Sequence, residues 1–418
     1  MNENNQLSND NQLLNDNKLS NDNKLLNDNH IQNEQKNINL EKNKLKNIKK
    51  RLAKKKKKLS NQTFPPTIPI NKLYSSNIYP KGEIVENKIN NFDENKINNF
   101  DENTLNNFRE AAEAHRQVRQ YAKKFIQPGM KIIDIAKKIE NATALLIQKD
   151  GIKRGWGFPT GLSLNNCAAH YTPNYGDNTI LNKNDVMKLD FGIQVEGKII
   201  DCAFTLTWDE KYDELLNAVK EATNTGIKCA GIDARLCEIG SSIQEVMEAH
   251  EIVLDGKVYP IKSIRNLSGH SINLYQIHGG KTVPIIKNSG NDDKMEDGEF
   301  YAIETFGSTG KGYIYNDMAC SHYMKEFYQP KINIKNQKSK KLLDTINTNF
   351  GTLAFCRRWL EDLGEKDHLL SLKNLCNLGI IRDYPPLCDI KGCYTAQYEH
   401  TIYISSSHKE ILSRGEDF

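Results

Sequence analysis

The stretch VMKLDFGIQVEGKIIDCAFTLTW, residues 186–208, decides the fold. It reads as two apolar strands joined by a four-residue turn, Gln194-Val195-Glu196-Gly197, and each strand carries one carboxylate, Asp190 or Asp201. A turn of that length sets the two acids nearly opposite each other, where cross-strand Cβ atoms lie about 4.5–5.5 Å apart. Like charges that close need a cation between them, or one must stay protonated. The alternative, an acid pair on the wet face of a hairpin, finds little room, because Asp201 is flanked by Ile199, Ile200, Ala203 and Phe204.

Two further stretches repeat the pattern. FYAIETF, residues 300–306, places Glu304 on one face of a strand with Phe300, Ala302 and Phe306, and YTAQYEHTIYI, residues 394–404, places Glu399 with Gln397 and Thr401. No Lys or Arg lies in the hydrophobic part of the strands carrying Asp201, Glu304 or Glu399. An ionised carboxylate in such company costs several kcal/mol unless something positive meets it. His270, in NLSGHSI, is a weak signal alone, since a single His beside Gly is more often a turn or core residue. Taken with the four acids it completes a set of formal charge −4, which two divalent cations would cancel. The economical expectation is a dinuclear metal centre.

Oxygen-rich ligation with one imidazole suits Mn, Fe, Co or Zn and not a closed structural zinc site, which favours thiolates. The chain has no HExxH and no C-x2-C pair, and Gly307-Ser308-Thr309-Gly310-Lys311-Gly312 only superficially resembles a phosphate-binding loop, because its spacing is wrong. Metal-assisted hydrolysis is the natural reaction class. His170, His278 and His322 remain as candidate proton carriers, with Phe158 and Tyr384 as apolar walls.

Polarity is unevenly spread along the 418 residues. Residues 1–107 are dominated by Asn, Asp and Lys, with repeats such as NDNQLLNDNK (9–18), NDNKLLNDNH (21–30) and ENKINNFDENKINNFDEN (86–103), so residues 1–104 are expected to be a disordered extension. Within it, residues 42–58 hold eleven Lys or Arg and no acid. Such a run is either a solvated charge tract or a localisation signal, or else an arm for phosphate backbones. The expected folded domain is 105–418. Two amphipathic helices open it, strands follow, and a helix-rich stretch at 325–385 interrupts the strand pattern as an inserted subdomain. Antiparallel strands with segregated helices make the class α+β. Nine scattered cysteines without a CxxC pair suit a reducing compartment, and neither a signal-like N-terminus nor an apolar run of membrane-spanning length is present, so a cytoplasmic protein with no membrane association is expected.

From Phe108 onward the chain resembles the type 2 methionine aminopeptidases. The resemblance is carried by NFREAAEAHRQVR, FPTGLSLNNCAAHYTPN, KLDFG, GKIIDCAFT, IRNLSGHSI, IHGGKTVPI, AIETFGSTGKG, CSHYMK, YPPLCDIKG and YTAQYEHTI. It implies the pita-bread fold, a pseudo-two-fold α+β domain with a helical insertion, and two divalent ions (Co, Mn, Fe or Zn) per chain. By motif, Asp190 would be the outer ligand of one ion, Asp201 and Glu399 would bridge both, and His270 with Glu304 would complete the other. Glu304 would also act as general acid–base. His170 would contact the substrate and assist proton transfer, and His278 would lie near the scissile carbonyl, both as catalytic residues. Phe158, Ile277, His322 and Tyr384 would line a methionine pocket.

The activity implied is removal of the initiator methionine from nascent chains, with small residues preferred at the second position. Partners implied by that resemblance are nascent N-termini and, through the Lys-rich arm, the ribosome; a monomer is expected. Small departures from the family pattern are Asn174-Tyr175 before Gly-Asp, and Asn273-Leu274 after GHSI, where Asn273 is expected to narrow access to the site. Two other readings compete: a pita-bread protein that binds RNA or the ribosome without catalysis, and a proline-specific peptidase. The complete ligand set argues against the first, and the insertion with YPPLCDIKG against the second.

Overall fold

The computed structural model describes residues 62–74, 76–86, 102–287, 292–328 and 332–417. The repeats of residues 1–31 and the basic run 42–58 lie outside them. The folded body begins earlier than expected from polarity: Thr63–Phe418 forms one compact unit. A single helical turn, Ile70–Leu73, and strand β1, Glu83–Glu86, belong to it, and Ile70, Tyr74 and Tyr79 are buried. Three apolar anchors in a polar stretch are too sparse for a periodicity signal, yet they suffice to dock a segment onto a core that already exists.

Helix α1 (Glu102–Phe125) and helix α2 (Ile132–Ile147) are separated by Gln127-Pro128-Gly129, and α2 closes with Gln148 in the left-handed conformation. They cover a sheet of β2 (Arg154–Leu164), β3 (Met187–Val195) and β4 (Lys198–Leu206), in the order β2-β3-β4. Helices α3 (Asp213–Cys229) and α4 (Leu236–Glu248) pack in the same way on a second sheet. Its central strands are β5 (Ser268–Ile272), β6 (Thr282–Pro284), β7 (Phe300–Ser308), β8 (Thr395–Ile404) and β9 (His408–Ile411), in the order β1-β9-β8-β7-β5-β6. Each half is thus an antiparallel sheet roofed by two helices, with its own apolar core. That repetition is the pseudo-two-fold of the pita-bread fold.

The halves meet where β4 runs beside β8, and side chains tie this seam. Thr205 Oγ1 donates to the Gln397 carbonyl (2.8 Å) and accepts from its N–H (2.8 Å). Thr401 Oγ1 does the same to Asp201, donating to its carbonyl (2.6 Å) and accepting from its N–H (2.8 Å). Backbone groups buried at the join are therefore satisfied without continuing a ladder through it. One of the two hydroxyl bridges falls at Asp201, a position that carries a carboxylate, and the other at Gln397.

The inserted helices are α5 (Gln337–Asn349), α6 (Arg357–Asp362) and α7 (His368–Asn377), with a small core of their own around Leu342, Phe355, Trp359 and Leu375. The insertion is closed at its base by antiparallel pairing of His322–Lys325 with Ile381–Tyr384, which sets His322 opposite Tyr384. Arg358 of α6 is buried and makes a two-pronged pair with Glu140 of α2 (2.6 and 2.8 Å), binding the insertion to the first half. Among the described residues, no helix is long and apolar enough to cross a membrane.

Candidate metal centre

The β3–β4 turn differs from expectation. Val195 pairs with Lys198, so the turn is the two-residue Glu196-Gly197, both at positive φ (50° and 79°), a geometry whose twist matches the flanking strands. The register shifts with it: Asp201 faces Gly192, and Asp190 faces Ala203. The two carboxylates are diagonal neighbours on one face of the sheet, not opposite each other. Gly192 is needed here, because a Cβ on it would lie 2.3 Å from the Phe158 ring.

On the other half, Glu304 of β7 and Glu399 of β8 are directly paired, and His270 of β5 pairs with Ala302, two residues from Glu304. Strand periodicity therefore turns all three side chains to the same side. His270 Nε2 lies 3.6 Å from Asp201 Oδ2 and 3.6 Å from Glu304 Oε1. Donor atoms of Asp201, His270 and Glu399 all fall within 4.8 Å of one another. The five residues singled out in the sequence are brought together at the seam between the halves.

Electrostatically this cluster is unbalanced. Burial, then the mutual repulsion of the acids, drives the carboxyls of Asp201, Glu304 and Glu399 well above the ordinary range, and burial raises Asp190 to about 6. Burial lowers His270 to about 3, so its imidazole is neutral and free to offer a lone pair. Asp190 Oδ1, Asp201 Oδ1 and both Glu399 oxygens are buried with no hydrogen-bond partner. Among the described residues, no Lys or Arg forms an ion pair with any of the four acids. Cys202, the nearest thiol in sequence, turns away and donates to the Glu399 carbonyl (3.1 Å). Orphaned oxygens, a neutral imidazole and no compensating cation are what a hard or borderline divalent ion requires.

A cavity of about 360 Å³ opens above this floor, and all six expected substrate contacts, Phe158, His170, Ile277, His278, His322 and Tyr384, line it. His170 follows the strand Cys167–Ala169 and is held at φ 64°, an uncommon conformation for a non-glycine residue. Burial lowers His170 to about 4 and His322 to about 3; Ser321 Oγ lies 3.2 Å from His322 Nδ1. His278 is exposed at the mouth, on the loop after β5. Tyr275, earlier in that loop, is seated on the Gly197 turn and accepts from Thr352 Oγ1 at its carbonyl (2.7 Å). Asn273, expected to narrow access, is exposed and folds back to donate to the Gly279 carbonyl (3.0 Å); it does not line the cavity.

Sequence reasoning missed other wall residues, Leu267, Phe306, Met324 and Ala354, which carry no chemical signal of their own. It also gave no role to Gln397, although the same-face alternation with Glu399 was visible. The Gln397 amide Nε2 lies 3.3 Å from Asp190 Oδ2 and 3.1 Å from Glu304 Oε2.

An acidic cluster with one imidazole, sunk in a substrate-sized cavity at the seam of this fold, defines a metal-dependent hydrolase. The model of metallopeptidase family M24 matches residues 106–406. The chain is 56% identical to methionine aminopeptidase 2 of Dictyostelium discoideum and 53% identical to that of Schizosaccharomyces pombe. Each match covers 85% of this chain, with 83% and 85% of the respective relative. Among solved structures, a thermophilic Arx1 superposes with a TM-score of 0.63 at 19% identity, covering 72% of this chain and 88% of the other, a likeness of fold. The chain belongs to metallopeptidase family M24 and, within it, to the type 2 methionine aminopeptidases.

Proposed function

We propose that this aminopeptidase removes the initiator methionine from nascent chains with a small second residue, using two divalent ions held by Asp190, Asp201, His270, Glu304 and Glu399. The observation that carries this reading is the set of buried, unpartnered carboxylate oxygens gathered around a neutral His270 beneath the cavity. Their formal charge of four matches two divalent ions better than one. Bound there, such ions would supply Lewis acidity to the scissile carbonyl and lower the pKa of the attacking water.

The remaining chemistry falls to the chain itself. Glu304, whose carboxyl is raised by burial and by its acidic neighbours, takes the proton from the attacking water and returns it to the leaving amine. His170, kept neutral by burial, offers a hydrogen bond at the scissile amide, and His278 on its loop approaches the carbonyl from the mouth. Phe158, Ile277, His322 and Tyr384 wall a slot that suits an unbranched thioether. Exclusion of bulk at the residue after the methionine would restrict cleavage to small second residues.

The polybasic run 42–58 supports a salt-dependent ribosome contact, and the free cysteines fit a cytoplasmic enzyme, which we take to act as a monomer. Release of methionine from Met-Ala-Ser but not from X-Pro peptides, abolished by chelator, is the expected assay result. Chelator-insensitive release would overturn the metal reading. Replacing Lys54 to Lys58 with Ala should weaken ribosome cosedimentation without changing peptide turnover; unchanged cosedimentation would discard the arm.

A further inference from the structure

Gln397 sits on β8 two residues before Glu399, almost fully buried, and its backbone is fixed at both ends because Thr205 Oγ1 holds its N–H and its carbonyl. Its side-chain amide faces two carboxylates from opposite halves of the fold, Asp190 of β3 at 3.3 Å and Glu304 of β7 at 3.1 Å. Both oxygens are acceptors when ionised, so the NH2 and not the carbonyl end must point at them, and each of its two hydrogens serves one acid. Gln397 Oε1 is buried with no hydrogen-bond partner, so no competing bond turns the amide away from this orientation.

We propose that Gln397 is a positioning residue that couples the two ion subsites, fixing Asp190 and Glu304 in the rotamers required for ligation through one planar amide. This rests on the ligand set proposed above. Asp190 and Glu304 belong to different subsites and different sheets, and no described backbone hydrogen bond links β3 to β7. The amide reaches one carboxylate of each half. It is neutral, so it orients the two acids without cancelling the negative charge that attracts cations. Outer contacts of this kind are worth about 10- to 100-fold in metal affinity or activity when removed.

Gln397→Met keeps the volume and removes both donors; Gln397→Asn keeps the amide but withdraws it by one methylene. Calorimetric titration of the chelated full-length protein with Mn2+ reads affinity directly, alongside kcat and KM for Met-Ala-Ser. For both variants the expected result is Mn2+ affinity weakened by about 10- to 100-fold and kcat lowered at saturating Mn2+, with KM little changed because the methionine slot is untouched. Circular dichroism melting of the chelated proteins checks that the variants fold. Parent-like Mn2+ affinity in a folded Gln397→Met would overturn the coupling role. Glu399→Gln serves as the control: if it too leaves Mn2+ affinity intact, the ligand set fails, whereas loss in Glu399→Gln with none in Gln397→Met sinks only the role of Gln397.

Discussion

Replacing Glu140 with Ala isolates the joint between the insertion and the first half. Arg358 is 1% exposed, and its guanidinium sits in a fork of two bonds to Glu140, 2.6 and 2.8 Å long, while the Trp359 indole N–H donates to the same carboxylate at 3.1 Å. Removing the acid leaves Arg358, among the described residues, the Pro173 carbonyl at 3.3 Å and Thr172 Oγ1 at 3.4 Å as its hydrogen-bond partners. A buried charge stripped of its counterion costs about 3–5 kcal/mol, more than an exposed pair of the same geometry by severalfold. Chemical denaturation of the full-length protein, followed by tryptophan fluorescence, should show this loss, since Trp156 and Trp359 stack at the same joint with ring centroids 4.4 Å apart. Joining Glu140→Met to Arg358→Met should recover most of it, because two apolar side chains fill the space with no ion left to desolvate. A Glu140→Ala protein within about 1 kcal/mol of the parent, or a double variant no better than the single, would refute the reasoning.

Further outcomes follow from the same structure. Gly197→Ala forces a Cβ to within 2.3 Å of the Tyr275 ring at a backbone φ of 79°, so the loop bearing His278 must move, and kcat/KM on Met-Ala-Ser should fall about tenfold or more with the melting temperature lowered; unchanged kinetics would contradict the bracing of that loop. Asp417 pairs with Arg119 at 2.8 Å and Lys123 at 3.0 Å; burial raises its carboxyl, but these two cations outweigh it and hold the group well below the ordinary carboxylate value. Its stabilisation is therefore complete above an unfolded pKa of about 3.9 and is lost as pH falls further, so Asp417→Asn should flatten the acid side of the stability profile below about pH 4. An acid limb as steep as the parent's would exclude that role. Exhaustive chelation should abolish methionine release and lower the melting temperature, both restored by adding Mn2+, since a ligand bound only by the folded state stabilises it; a melting temperature insensitive to chelator would count against ions sharing this buried cluster.

Much of the centre was legible because its signal is chemical. Asp190, Asp201, Glu304 and Glu399 each stand out as an acid in an apolar strand, and alternation alone put Glu399, Gln397 and Thr401 on one face. The turn before Lys198 is two residues shorter than the sequence suggests, since a hairpin's register depends on the twist of its turn, and apolar strands on both sides offer no mark of where pairing stops. Asn273 was expected at the site by its position beside GHSI, but its side chain makes a local bond and leaves the cavity free. Residues 63–86 were read as part of the polar extension, although Ile70, Tyr74 and Tyr79 seat them on the body. An edge segment needs only a few anchors when a surface already awaits it.

The sequence by itself determined which groups could do chemistry and that they could not be buried uncompensated, because residue type fixes charge, ligand character and desolvation cost. Only the tertiary structure decided that they meet. Strands 200 residues apart are brought side by side by Thr401 at Asp201, and one amide reaches from each half to the other. Such contacts follow from how two sheets are docked, which no local run of residues encodes.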